Sequence, residues 1–83
     1  MNDIKVSKLM SLVLRHKPET IGINLDENGW ADIKELINRI RNNGFPDFNI
    51  DYLSYIVENN DKKRFKISDN GLKIRASQGH SIK

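Results

Sequence analysis

The 83-residue chain contains no cysteine. That excludes disulfide scaffolds, cysteine-ligated zinc fingers and thiol catalysis together, and with the absence of any leader it makes the cytoplasm the expected compartment. No apolar run approaches the roughly 20 residues that span a bilayer, so no membrane association is expected. The opening stretch also lacks the apolar segment and small-residue cleavage site of a secretory leader. Proline and glycine are few, at two and five residues, and no linker, repeat or low-complexity tract divides the chain. Residues 1–83 are therefore expected to form one domain, and a monomer. Two histidines are too few for a metal site without carboxylate help, and the Asp and Glu residues show no paired spacing of the kind acid–base catalysis uses. No Gly-rich turn of the nucleotide-binding types is present.

Charge is abundant but unevenly spread. From Met1 to Asp61 there are 7 Lys and Arg against 10 Asp and Glu, a net of −3. From Lys62 to Lys83 there are 7 Lys and Arg against Asp69 alone, a net of +6, which leaves +3 for the chain. A basic block on an otherwise acidic chain points to a localised anionic partner, or else to a solvated basic tail.

Hydrophobic periodicity organises the rest. Over residues 4–16, Val6, Leu9, Met10, Val13 and Leu14 fall at helical spacing, with Ile4 and Leu12 widening the stripe, and Pro18 stops the helix soon after. Residues 21–31 read as an extended segment with a turn at Glu27-Asn28-Gly29 and a short strand through Trp30. Asp32 is placed to cap a second helix carrying Ile33, Leu36, Ile37 and Ile40, ended by Asn43-Gly44. A third helix is expected from about Asn49 to Asn59, with Ile50, Leu53, Ile56 and Val57 as its core stripe.

The period then switches from 3.6 to 2. Residues 64–68 and 72–76 alternate strictly on either side of Asp69-Asn70-Gly71, the signature of a β-hairpin. With Asn70-Gly71 as a two-residue loop, Phe65 faces Ala76, Lys66 faces Arg75 and Ile67 faces Ile74. Phe65, Ile67, Leu72, Ile74 and Ala76 then share one face, and Arg64, Lys66, Lys73 and Arg75 share the other. Three helices, a short strand after the first and a C-terminal hairpin give an α+β chain in the element order of a winged-helix domain.

Four cations on one hairpin face repel one another. A polyanion compensates, because Lys and Arg release its counterions and a guanidinium grips phosphate oxygens bidentately. Solubilising surface charge is the plainer account of the same pattern. Phe65 belongs to the apolar face, and Tyr52 and Tyr55 to a helix, so stacking on single-stranded bases is not favoured. Arg15 and His16, at the end of the first helix, read either as a surface cap or as a phosphate-holding pair in which the helix dipole favours the charged histidine. Gln78-Gly79-His80-Ser81 has the donors of a phosphate loop and equally the look of a loose end. Trp30 reads as core or hinge packing.

Taken in order, Ser7–His16 (SKLMSLVLRH), Gly22–Trp30 (GINLDENGW), Asn60–Phe65 (NDKKRF) and Ile74–Ser81 (IRASQGHS) resemble the motifs of the RNA 2′-phosphotransferase family. The resemblance covers most of the chain. It implies an NAD-dependent enzyme of tRNA processing and splicing type that removes an internal 2′-phosphate from RNA. Its N-terminal lobe would be a winged helix holding the RNA, and its C-terminal lobe an ADP-ribosyltransferase fold holding NAD. The chain stops about where the second lobe should begin, so NAD is expected to be bound mainly by a lobe absent here, and the chain alone is expected to be inactive. In the implied reaction the 2′-phosphate attacks the nicotinamide ribose of NAD and expels nicotinamide. A ribose hydroxyl then attacks the phosphorus, releasing RNA 2′-OH and ADP-ribose 1″,2″-cyclic phosphate.

Residue by residue, the resemblance implies catalytic positions for Arg15, His16 and Arg64. The two arginines would clamp the 2′-phosphate, with His16 as phosphate donor or proton-transfer group. Lys62, Arg75, Gln78, His80 and Ser81 match motif positions and imply contacts to RNA or its phosphate. Lys66 and Lys73 come from the hairpin pattern alone and are expected to touch the RNA backbone without reading sequence. The alternatives are a winged-helix DNA- or RNA-binding regulator without catalysis and a protein-interaction module. The first would set the third helix in a groove, yet that helix carries Asp51 and Glu58 and no Lys or Arg.

Overall fold

The computed structural model describes residues 3–59 and 64–77. Helix α1, Asp3–Arg15, buries Val6, Met10, Val13 and Leu14, a stripe at i, i+4, i+7 and i+8. At its C-terminal end the N–H groups of His16 and Lys17 both donate to the Leu12 carbonyl, at 2.9 and 2.8 Å, the second a wider i→i−5 closure. Pro18 then opens a single 3₁₀ turn, Pro18–Thr20, where its missing N–H leaves no bond unmade. Buried Ile21 and Ile23 pin the following extended segment to the core.

Strand β1 is only Ala31–Asp32, one residue later than the Trp30-containing strand expected from sequence, and runs directly into helix α2, Ile33–Arg41. Asp32 is both the end of the strand and the N-cap of the helix, its carboxylate accepting the Glu35 N–H at 3.3 Å; such caps contribute about 1 kcal/mol. Helix α3, Ile50–Glu58, is capped by Asn49, whose side-chain oxygen accepts the Tyr52 N–H at 2.9 Å. Strands β2, Phe65–Ile67, and β3, Lys73–Ala76, close the described chain. The sheet is antiparallel with order β1-β3-β2. In the hairpin Phe65 pairs with Ala76, Lys66 with Arg75 and Ile67 with Ile74, the register expected from the alternation.

One apolar core joins the three helices and the sheet. Met10, Leu36, Ile40, Phe48, Leu53 and Ile74 are its largest fully buried side chains, and no charged or polar residue is buried among the described residues. Helix α1 packs against β3.

Four expectations need correction. Ile4 is 67% exposed, because at 3.6 residues per turn it lies roughly 160° around the helix from Val6. Ile50 is 48% exposed; it sits in the first turn of α3, and Phe48 fills the core place beside it. Phe48 and Leu53 flank the Asn49 cap at the N′ and N4 positions of a hydrophobic staple. The hairpin loop spans four residues, Asp69 to Leu72. Ser68 N–H donates to the Lys73 carbonyl at 2.8 Å, Gly71 N–H to the Ser68 carbonyl at 2.9 Å, and Asn70 Oδ1 accepts the Leu72 N–H at 3.0 Å. Leu72 thus belongs to the loop and is 57% exposed rather than on the apolar face.

Candidate functional site

The outward face of the hairpin carries the cations. Lys66 and Lys73 are exposed and Arg64 and Arg75 half-buried. Lys66 stands directly across from Arg75, and the Arg64 carbonyl accepts the Ser77 N–H at 2.7 Å beyond the last pair. Toward the hairpin loop this face borders an open cleft of about 430 Å³, lined by Asp26, Trp30, Lys66, Ser68, Asp69, Asn70 and Lys73.

The far wall of the cleft comes from the turn at Asp26–Trp30. Asp26 Oδ1 accepts the N–H groups of Asn28 at 2.9 Å and Trp30 at 3.0 Å. The backbone closes the same turn twice, Asp26 N–H to the Trp30 carbonyl and Gly29 N–H to the Asp26 carbonyl, both at 2.9 Å. Gly29 has φ +86°, a conformation glycine adopts without the strain a Cβ would bring. The other Asp26 oxygen, Oδ2, lies 3.7 Å from the Lys73 ammonium. The bond from the Trp30 N–H, opposed in part by desolvation and reinforced by the Asn28 N–H and the nearby Lys73, holds the Asp26 carboxyl below its ordinary pKa. The turn also brings Trp30, half-buried, beneath the Arg75 guanidinium, whose central carbon stands 5.4 Å from the ring centroid.

Lys66, Lys73 and Arg75 are thus brought together on one face, with Arg64 just ahead of β2. Arg15 and His16 are exposed at the C-terminal end of α1 and do not line the cleft. Lys62, Gln78, His80 and Ser81 lie outside the described residues. Two residues of the site escape sequence reasoning. Asp26 engages a cation that the charge pattern assigns wholly to the partner, and Trp30, read from sequence as core or hinge packing, is half-buried with Arg75 over its ring. The signal lies in the Asp-x-x-Gly-Trp turn just ahead of β1, since β1 pairs with the strand that carries both cations.

Fold and site together define a small α+β domain with a cationic hairpin face braced by an acidic and an aromatic side chain. Among known proteins, the family described as RNA 2′-phosphotransferase, Tpt1 / KptA family, matches residues 1–83, and the chain belongs to it. Over 77 residues it is 58% identical to a probable RNA 2′-phosphotransferase of Flavobacterium johnsoniae, covering 93% of this chain and 42% of that protein. Over 81 residues it is 51% identical to one of Fusobacterium nucleatum, covering 98% and 45%. Over 77 residues it is 48% identical to one of Pseudomonas syringae pv. tomato, covering 93% and 41%. The chain therefore spans less than half the length of these curated relatives. No helix of the described residues is long and apolar enough to cross a membrane.

Proposed function

We propose that this chain is the RNA-holding lobe, of winged-helix type, of an NAD-dependent RNA 2′-phosphotransferase acting on RNA with an internal 2′-phosphate, in the cytoplasm and as a monomer. The family match across all 83 residues carries the proposal. The strand order β1-β3-β2 beside three helices supports the winged-helix assignment, with the β2–β3 hairpin as the wing. The names of the relatives, probable RNA 2′-phosphotransferases, support the activity.

The chemistry sets what the lobe must supply. A 2′-phosphate is a dianion next to a polyanionic backbone, so it needs fixed donors to hold it and a group to manage a proton. In the proposal Arg15 and Arg64 clamp the phosphate oxygens and His16 donates to the phosphate or transfers the proton. Lys62, Arg75, Gln78, His80 and Ser81 contact the RNA or its phosphate. Lys66 adds charge toward the backbone without reading sequence. Lys73 contributes less than its charge implies, because Asp26 already faces it.

NAD is a different matter. The cleft beside the hairpin does not suit a dinucleotide, since Asp26 and Asp69 stand with its two lysines and no Gly-rich turn opens a helix there. The NAD-binding groups are therefore proposed to belong to the part of the relatives' length that this chain does not span. The test is affinity for an RNA bearing an internal 2′-phosphate against the same RNA with a 2′-OH, across a salt series. The phosphorylated RNA should bind more tightly at every salt concentration; equal affinities throughout would sink the reading.

A further inference from the structure

We propose that Trp30 is a positioning residue that presets Arg75, holding its guanidinium over the indole so that the N–H donors meet an RNA phosphate already oriented. The inference rests on the reading of the hairpin as a phosphate-holding face.

The sheet register makes Trp30 and Arg75 neighbours. Ala31 pairs with Ile74 and Asp32 with Lys73, so one step further the antiparallel register sets Trp30 across from Arg75. On its other side Arg75 pairs with Lys66. Arg75 is thus flanked on one face of the sheet by an aromatic ring and by a like charge. The like charge pushes a long, flexible guanidinium away, and the ring face attracts it. The observed 5.4 Å approach of the guanidinium carbon to the indole centroid is the outcome of that bias.

The indole is itself mounted on a fixed backbone. Trp30 N–H donates to Asp26 Oδ1 at 3.0 Å and its carbonyl accepts the Asp26 N–H at 2.9 Å, while β1 begins at the next residue. Asp26 also faces Lys73, two residues from Arg75 on the same outward face of β3, and so reduces the competing charge beside it. A guanidinium over a ring face keeps its donors along its own edges, available to a phosphate in the bidentate geometry that an ammonium cannot offer. Presetting that geometry removes part of the ordering cost of binding.

Two series of variants test this, read as the ratio of affinities for 2′-phosphorylated and 2′-hydroxyl RNA. Arg75→Ala should lower the ratio, and Trp30→Ala should lower it about fivefold through the lost cation–π support. In an Arg75→Ala background, Trp30→Ala should cause no further loss, which a merely structural tryptophan would not produce. Trp30→Phe should retain most of the ratio, because it keeps an aromatic face. Trp30→Leu keeps an apolar side chain without that face and should behave like alanine; it carries the test if Trp30→Ala does not fold. If Arg75→Ala lowers the ratio while Trp30→Leu does not, the positioning role is overturned and the hairpin reading stands. If Arg75→Ala changes neither the ratio nor the affinity for either RNA, both fall.

Discussion

Strand β3 has two faces with opposite duties. Ile74 and Ala76 point inward, at 0% and 8% exposure, and join the core that α1 covers. Lys73 and Arg75, one residue out of step, point outward and are met by Asp26 and Trp30. The period of two separates the core from the proposed RNA-binding face within four residues. A change on one face should leave the other's property nearly intact, and each of the following experiments tries to break that separation.

Ile74→Ala should have the largest effect, a loss of about 2–5 kcal/mol in unfolding free energy by denaturant titration, as expected for a fully buried aliphatic side chain. RNA affinity measured well below the unfolding transition should barely change, and a selective binding defect would blur the two faces. Arg75→Ala should do the reverse. Losing a charge-assisted phosphate contact is expected to weaken binding of 2′-phosphorylated RNA by about 1.5–3 kcal/mol, while the unfolding midpoint moves little. A smaller effect is expected for Lys66→Gln, an exposed residue with no ion-pair partner among the described residues. It should reduce the slope of log affinity against log salt by about 0.7, the value of one contact to single-stranded backbone. An unchanged slope places Lys66 off the RNA.

The smallest effect is pH-dependent and concerns the brace. The folded-state pKa of Asp26 is lowered, so its contribution to stability is present at neutral pH and lost as pH falls below the ordinary carboxylate range toward the lowered folded value. Asn in place of Asp keeps an oxygen to accept the two N–H groups but loses the charge. Asp26→Asn should therefore be less stable than the natural protein at pH 7, with the difference closing in thermal unfolding below about pH 4. A gap that stays constant down to pH 2 would remove the carboxylate from the brace.

Local chemistry makes the three helices, the Asp32 cap and the hairpin register legible from the order of residues alone. Those features depend on residues within a few positions of one another, where periodicity and turn chemistry decide. Phe48 is hidden from such reading because it lies outside any periodic run, in a Pro-Asp-Phe segment, and its burial comes from the α3 staple rather than from a stripe. Leu72 departs from the alternation because the side chain of Asn70 widens the loop by taking over the Leu72 N–H. In the site, the cationic face is legible from alternation alone. Its partners are not, since Asp26 and Lys73 are separated by 47 positions, and Trp30 and Arg75 by 45. The meeting of those pairs is decided by a two-residue strand whose pairing partner no local pattern names.

The strand order β1-β3-β2 also bears on the order in which the sheet is expected to assemble. The last described strand lies in the middle of the sheet, so β1 has nothing to pair with until β3 has been made. Closing the β2–β3 hairpin between Ile67 and Ile74 joins residues 7 apart, whereas seating Ala31 on Ile74 joins residues 43 apart. By loop-closure entropy the second step costs about 1.6 kcal/mol more than the first. On that cost alone the hairpin is expected to close before Trp30 arrives. In that order the cationic face would form first as an unbraced ribbon, and the docking of β1 would bring Trp30 to Arg75.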